Sequence, residues 1–281
     1  GSSLKCAIET GKVEVLSNHI VESLIINKSQ NMATGLLAID RNTMSQVKID
    51  SKLIVLCAST IQSIKILLNS SEKIKSNGLI EPSQKLGSYI MDHISTCRFF
   101  SFNLQDKKIQ KKQPLSGAGS FFIPFGSKLD HKNEKDFIRG YGLWGGINRF
   151  DPPEFLKKVP GTTIGFLIGH GEVLAYKDNK ISLSNKLDKW GIPIPHIDCK
   201  WKDNELKMVE HMNNSIYKCV RATGGQIHPI YELINLPVLK QISNRSIALK
   251  ESPPPPGYYV HEVGGAPMGL EETDSVLDKW N

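Results

Sequence analysis

Between about Arg98 and Gly257 the apolar residues come in short runs, FFIPF, TIGFLI and ISL among them, broken by aromatics, glycines, prolines and turn formers. A helix needs apolar residues recurring over several turns. Runs this short bury themselves as strands, and the frequent turns predict an antiparallel sheet with one wet face. Asp178-Asn179 is a turn pair between EVLAY and KISLS and predicts a hairpin there. One helix interrupts the strands. It has Asp203 as N-cap candidate and Glu205 in its first turn, and it stops before Gly224-Gly225. Leu206, Val209, Met212, Ile216 and Val220 line its predicted apolar face, Met208 and Tyr217 read as further core, and His211 falls on the polar side.

The flanks have another pattern. From Lys12 to Asn27 the segment KVEVLSNHIVESLIIN is rich in valine and isoleucine with partial alternation, which predicts strands. ATGLLAI and SQVKI then flank Asp40-Arg41-Asn42, a turn cluster expected to close a hairpin. The continuous apolar run Leu53–Cys57 predicts a strand buried on both faces of a parallel sheet. Behind it, Ile61, Ile64, Leu67 and Leu68 fall near helical spacing and Asn69-Ser70-Ser71 supplies the stop. Strand, tight turn and helix form the unit with which open α/β sheets present backbone N–H groups to a phosphate. Pro253–Pro256 is a stiff stretch unsuited to a central strand and is expected to be a connector at a domain boundary. The fold class expected is therefore α/β in the α+β sense. An antiparallel-sheet domain with helices takes 98–257, set off from the flanks 1–97 and 258–281.

Composition excludes several functions. With 281 residues, 40% hydrophobic and 22% charged, the chain is neither disordered nor fibrous. Its net charge of +7 comes from scattered lysines with one concentration at Lys107–Lys112, which reads as a solvated loop. No aromatic platforms interleave with the basic residues, so nucleic acid is not an expected partner. The five cysteines, Cys6, Cys57, Cys97, Cys199 and Cys219, are odd in number and widely spaced, as free thiols of a reducing compartment would be. His196 and Cys199 lack further ligands at zinc spacing, so no metal is expected. No apolar run reaches the roughly 18 residues of a membrane span, and a cytoplasmic location is the default.

The residues that bear on chemistry lie just after the proline stretch: Tyr258-Tyr259-Val260-His261-Glu262-Val263-Gly264-Gly265-Ala266-Pro267-Met268-Gly269. A histidine beside two glycines can hold its imidazole near a flat ligand, because the missing side chains let the backbone approach closely; by themselves the residues fit equally a structural histidine that has found a hydrogen-bond partner. His261 through Gly269 resembles the His-x-x-Gly-Gly-x-x-Met-Gly segment of the glucose-methanol-choline (GMC) oxidoreductase family, and Ser275-Val276-Leu277-Asp278 is similar to the stretch next to that segment in the family. Val55-Leu56-Cys57-Ala58-Ser59-Thr60 resembles the family's strand and turn against FAD, with Ala58-Ser59-Thr60 where the family more often has Ala-Gly-Ala. Gly87-Ser88-Tyr89-Ile90-Met91-Asp92-His93 looks like the family's Gly-x-x-Leu-x-Asp-His turn, and Val13–Leu16 with Val21 resembles the segment beside the adenine.

This resemblance implies an FAD-dependent oxidoreductase acting on the CH–OH group of a sugar, sugar acid or other alcohol, with His261 as the catalytic base. It implies FAD contacts at Val21, Ala58, Ser59, Thr60, Asp92, His93, Gly264 and Gly265, and an incomplete Rossmann-like FAD-binding domain made of 1–97 and 258–281 and joined to a substrate domain at 98–257. The family's opening Gly-x-Gly-x-x-Gly does not occur in the sequence, nor does its closing segment with the second catalytic residue. The chain is therefore expected to be an interior portion of a longer protein, inactive and weak in FAD binding unless a second chain supplies the missing half. The alternative is a non-catalytic binding or assembly protein on a degenerate GMC scaffold. An enzyme using NAD would need a dinucleotide fingerprint that is lacking.

Overall fold

The computed structural model describes residues 2–27, 29, 32–71, 78–103, 119–124, 126, 136–147, 162–228 and 253–281. The lysine cluster Lys107–Lys112 lies outside them. In chain order the elements are α1 (Ser2–Glu9), β1 (His19–Asn27), β2 (Met32–Asp40), β3 (Gln46–Asp50), α2 (Ser59–Asn69), β4 (Ile94–Asn103), β5 (Ser120–Ile123), β6 (Tyr141–Ile147), β7 (Thr162–Gly171), β8 (Lys180–Leu187), β9 (Pro193–Asp198), α3 (Asp203–Ala222) and β10 (Gln226–His228). They form a mixed α+β fold whose ladders, among the described residues, are all antiparallel. The chain divides into two compact units, Gly1–Ile90 with Tyr176–Asp198 and Gly264–Asn281, and Met91–Ala175 with Cys199–Val263.

In the first unit β1, β2 and β3 make an antiparallel meander, and Asp40 closes the β2–β3 turn by accepting from the Asn42 N–H at 2.8 Å. Helix α2 packs on β1 and on the β8–β9 hairpin. Its C-terminus is stitched to β1: the Ser70 hydroxyl donates to the Ile66 carbonyl at 2.6 Å and accepts from the Leu24 N–H at 2.7 Å. Lys65 on α2 and Asp188 at 3.3 Å form an ion pair with side chains only 11% and 18% exposed.

Three expectations fail in this unit. Leu53–Cys57 is not a strand, and Leu53 and Val55 are 78% and 74% exposed. An apolar run states which side chains favour burial and nothing about which neighbour buries them, and among the described residues no strand pairs with it. Lys12–Asn18 is likewise irregular, so β1 begins only at His19. Asp178-Asn179 does turn, with the Asn179 N–H donating to the Tyr176 carbonyl at 3.1 Å, yet β8 pairs with β9 and not with the EVLAY segment.

The second unit is a five-stranded sheet in the order β10-β4-β7-β6-β5, with α3 laid across one face. Ile94, Phe100, Leu143, Leu167, Met208, Val209, Met212, Ile216 and Val220 form its dry core. Two glycines of β7 set the helix height. A Cβ on Gly169 would lie 2.9 Å from the Met212 sulfur, and one on Gly171 only 2.4 Å from the Met208 sulfur. The helix start differs from expectation: Lys202 is the N-cap, and its N–H donates to the Glu205 carboxylate at 3.1 Å. Glu205 is fully buried and also accepts from the Leu174 N–H at 3.2 Å, a second bond that an Asp203 cap would not supply. On the helix face Met208 is buried while Leu206 is 47% exposed. His211, expected on the polar side, is half-buried with Nδ1 hydrogen-bonded to the Tyr141 hydroxyl at 2.7 Å.

Candidate active site

Successive side chains of a strand point to opposite faces of its sheet. Along β7, Gly165, Leu167, Gly169 and Gly171 are buried, whereas Phe166, Ile168 and His170 between them are only half-buried. The first set faces α3 and the second faces away. Register places Ser95 of β4 and Gly142 of β6 on either side of His170. On that face the His170 ring stacks with His93 at 5.7 Å between centroids and 16° between planes. His93 meets His261 edge-on at 5.3 Å, and Tyr259 stands edge-on to His170 at 4.1 Å. Trp144 closes the group at 6.0 Å from His170. Beside it opens a cleft of about 270 Å³ lined in part by His93, Phe122, Gly142, His170 and Glu172. Gly142 keeps that wall clear, since a Cβ there would come within 2.9 Å of the Phe122 ring.

Burial tunes the group. Desolvation first, then the nearby His93 and His261, push the His170 imidazole down to about 4 from 6.5, against the opposing pull of Asp92. The ring is therefore neutral near pH 7, and its Nε2 is buried with no hydrogen-bond partner among the described residues. Desolvation likewise pushes the Tyr259 phenol up to about 12, a hydrogen bond to Ser95 opposing it, so the hydroxyl remains a donor at neutral pH.

The His261 segment is held by one carboxylate. Asp92, 5% exposed, accepts from the N–H groups of His93 at 2.7 Å, Gly257 at 3.0 Å, Tyr259 at 3.2 Å and His261 at 3.3 Å. Two further bonds tie Met91 to Val263, N–H to carbonyl both ways at 2.9 and 3.0 Å. The proline stretch is fixed as well, for the Trp201 indole N–H donates to the Pro254 carbonyl at 2.7 Å.

Of the residues singled out in the sequence, Asp92, His93 and His261 come together in the second unit. The others are in the first. Val21 is half-buried on β1, and Ala58 and Ser59 are exposed at the start of α2 with Thr60 half-buried behind them. Gly264 and Gly265 take positive φ of 90° and 79°, and their lack of a side chain is required by the protein itself: a Cβ on Gly264 would sit 2.0 Å from the Tyr89 carbonyl oxygen, and one on Gly265 2.8 Å from Ile64. Tyr259 is not among the site residues that the sequence singles out, and His170 reads in the sequence as a histidine between glycines in a loop or strand, with contact to substrate as the alternative because loops over a sheet often line a pocket. The alternation Gly169-His170-Gly171 is the signal that separates His170 from the helix face. Tyr259 carries no such signal, because its place depends on the Asp92 hydrogen bonds. Among the described residues no three His, Cys, Asp or Glu side chains are placed to share a metal ion. Nor is any helix there long and apolar enough to cross a membrane.

A solved structure of formate oxidase superposes on 92% of this chain with a TM-score of 0.59, at 13% sequence identity. The chain shares that protein's fold. It is also 23% identical over 279 residues to a 2-methyl-1,2-propanediol dehydrogenase of Mycolicibacterium austroafricanum, an alignment covering 91% of the chain. No protein-family model matches. The chain spans about half the length of both, 52% of the formate oxidase and 45% of the dehydrogenase. Both are oxidoreductases by name.

Proposed function

We propose that this chain carries the base and substrate-facing residues of an FAD-dependent oxidoreductase that oxidises the CH–OH group of a sugar, sugar acid or other alcohol. The observation that carries the reading is the gathering of His261, His93, His170 and Tyr259 on the sheet face opposite α3, with the His261 segment held by Asp92. The sequence resemblance to GMC oxidoreductases and the names of the two similar proteins support it.

The residues at the α2 start fit an FAD contact in one respect. Ser59 keeps a left-handed φ of 66° where the family more often has glycine, and the turn at Ala58 and Ser59 is exposed. Val21, Ala58, Ser59, Thr60, Asp92, His93, Gly264 and Gly265 are the positions that the resemblance assigns to it. When bound, FAD supplies the hydride acceptor. His261, exposed at the edge of the cluster, takes the hydroxyl proton as the carbinol carbon loses hydride, the part of a general base set beside the substrate hydroxyl. Neutral His170 and protonated Tyr259 hold the substrate oxygen by hydrogen bonds without adding charge. A site that hydrogen-bonds an alcohol selects against analogues lacking the hydroxyl.

The test is anaerobic reduction by excess alcohol or sugar of the protein loaded with FAD together with a chain bearing the Gly-x-Gly-x-x-Gly loop, against its His261→Ala variant. We expect a loss of roughly 100-fold or more with FAD still bound. A variant reduced at nearly the parent rate would refute the base. The second reading, a non-catalytic binding or assembly protein, is favoured by Ser59-Thr60 in place of Gly-Ala. A protein that never turns yellow, with no absorbance near roughly 450 nm even when a chain bearing the Gly-x-Gly-x-x-Gly loop is supplied, would favour it over the enzyme.

A further inference from the structure

We propose that Asp92 is a positioning residue whose carboxylate holds the 257–261 loop in a strained course and so fixes His261 against His93. The inference rests on the reading of His261 as the base. An ionised carboxylate offers about four hydrogen-bonding sites. Here all four are used by backbone N–H groups, those of His93, Gly257, Tyr259 and His261. With these four sites taken, the buried carboxylate acts through the loop it holds, and the FAD contact that the resemblance gives position 92 would run through that loop and not through the carboxylate oxygens. The loop depends on it in turn, because the N–H groups of Gly257, Tyr259 and His261 make no backbone hydrogen bond among the described residues.

A second observation is independent of these bonds. Val260, between two of the amides that Asp92 holds, has φ 58° and is 70% exposed. A β-branched residue adopts the left-handed region rarely and at a cost, and no packing around an exposed side chain compensates it. Something outside the residue must hold the conformation, and the flanking bonds from Tyr259 and His261 to Asp92 do so. Asparagine at 92 would keep one accepting oxygen and turn an NH2 toward N–H donors. It fills the same space and loses half the clamp.

Amide hydrogen exchange tests the clamp without any cofactor. In the parent protein the exposed or half-buried Gly257, Tyr259 and His261 amides should exchange at least about tenfold more slowly than in an unstructured peptide. In Asp92→Asn they should speed up by about tenfold or more while the β4 and β7 amides keep their rates. Val260→Asn, which tolerates a left-handed φ, should restore part of the protection. Unprotected amides in the parent, or unchanged ones in a folded Asp92→Asn, would overturn the proposal. Should Asp92→Asn fail to fold, the parent measurement still decides. In the FAD-loaded protein, Asp92→Asn should lower kcat by roughly 10- to 100-fold at nearly constant KM, the scale for a misaligned catalytic group. In a His261→Ala background it should add less than about twofold, and a full additional loss there would count against action through His261. If His261→Ala has no effect at all, the base reading falls, while amide exchange still decides the clamp.

Discussion

On the α3 side of the five-stranded sheet, Leu143, Leu167, Met208, Met212 and Ile216 are at most 2% exposed, and bare glycines let the helix down onto β7. On the opposite side of the same strands stand His93, His170 and Trp144, half-buried or exposed, with one buried ring nitrogen unpartnered and Val260 held in a left-handed conformation above them. The strands are common to both, so the difference lies in alternate residues alone. The helix side has one exception, the buried Arg98 whose Nη2 has no hydrogen-bond partner among the described residues; the other side gathers its exceptions around the histidine rings. Broken rules that cluster on one face, where polar groups also converge, mark the face that works on something else.

The largest effect should come from the dry side. Met212→Ala removes a fully buried side chain wedged over Gly169 and should cost about 3 kcal/mol, within the usual span for such truncations. Tyr259→Phe, on the other side, deletes one hydroxyl that hydrogen-bonds Ser95 and should cost only about 1 kcal/mol. Urea titrations of both variants make the comparison. Equal losses would mean that the two faces contribute alike and that the contrast between them is not energetic.

A pH titration sharpens the same contrast. His170 binds its proton near pH 4 in the folded protein and near 6.5 in the unfolded chain. Between these values the unfolded state holds more protons, so stability falls as pH drops from 6.5 toward 4 and is fully present above that window. His170→Asn should flatten this acid slope, and ring NMR of the parent should give a His170 midpoint well below those of exposed histidines. A midpoint near 6.5 would mean that burial does not hold the ring neutral in the candidate site.

How much of this the sequence disclosed depends on the range of the forces involved. Period-two alternation and the apolar stripe are local, so β7, α3 and the β2–β3 hairpin were legible, down to Val209, Met212, Ile216 and Val220 on the buried face. Which strand pairs with which is not local. The Asp178-Asn179 turn is present, but its flanking segments pair elsewhere, and Leu53–Cys57 has the composition of a buried strand without its burial. At the site, His261 and the Asp92-His93 pair stood out by resemblance. Asp92's hold on Gly257, Tyr259 and His261 spans up to 169 positions of chain and left no trace in any local pattern.

The smallest expected effect asks whether strain marks function beyond the sheet. Among the described residues, no non-glycine with positive φ lies in β4, β6, β7 or α3, while Val260 and Ser59 both have one, the first inside the segment and the second at a position to which the resemblance assigns a role. Ser59 is exposed, so its side chain has little packing to lose. Ser59→Gly relieves a left-handed serine at about 1 kcal/mol but gives the unfolded chain more freedom, leaving a net gain of roughly 0.5 kcal/mol. The urea midpoint should therefore rise slightly. If FAD uptake also improves, the serine is a departure that weakens the cofactor contact, and the resemblance to a glycine-bearing turn gains weight. A lower midpoint would mean that the Ser59 hydroxyl makes a stabilising bond at the start of α2, and the left-handed turn would then be ordinary local structure with no functional content.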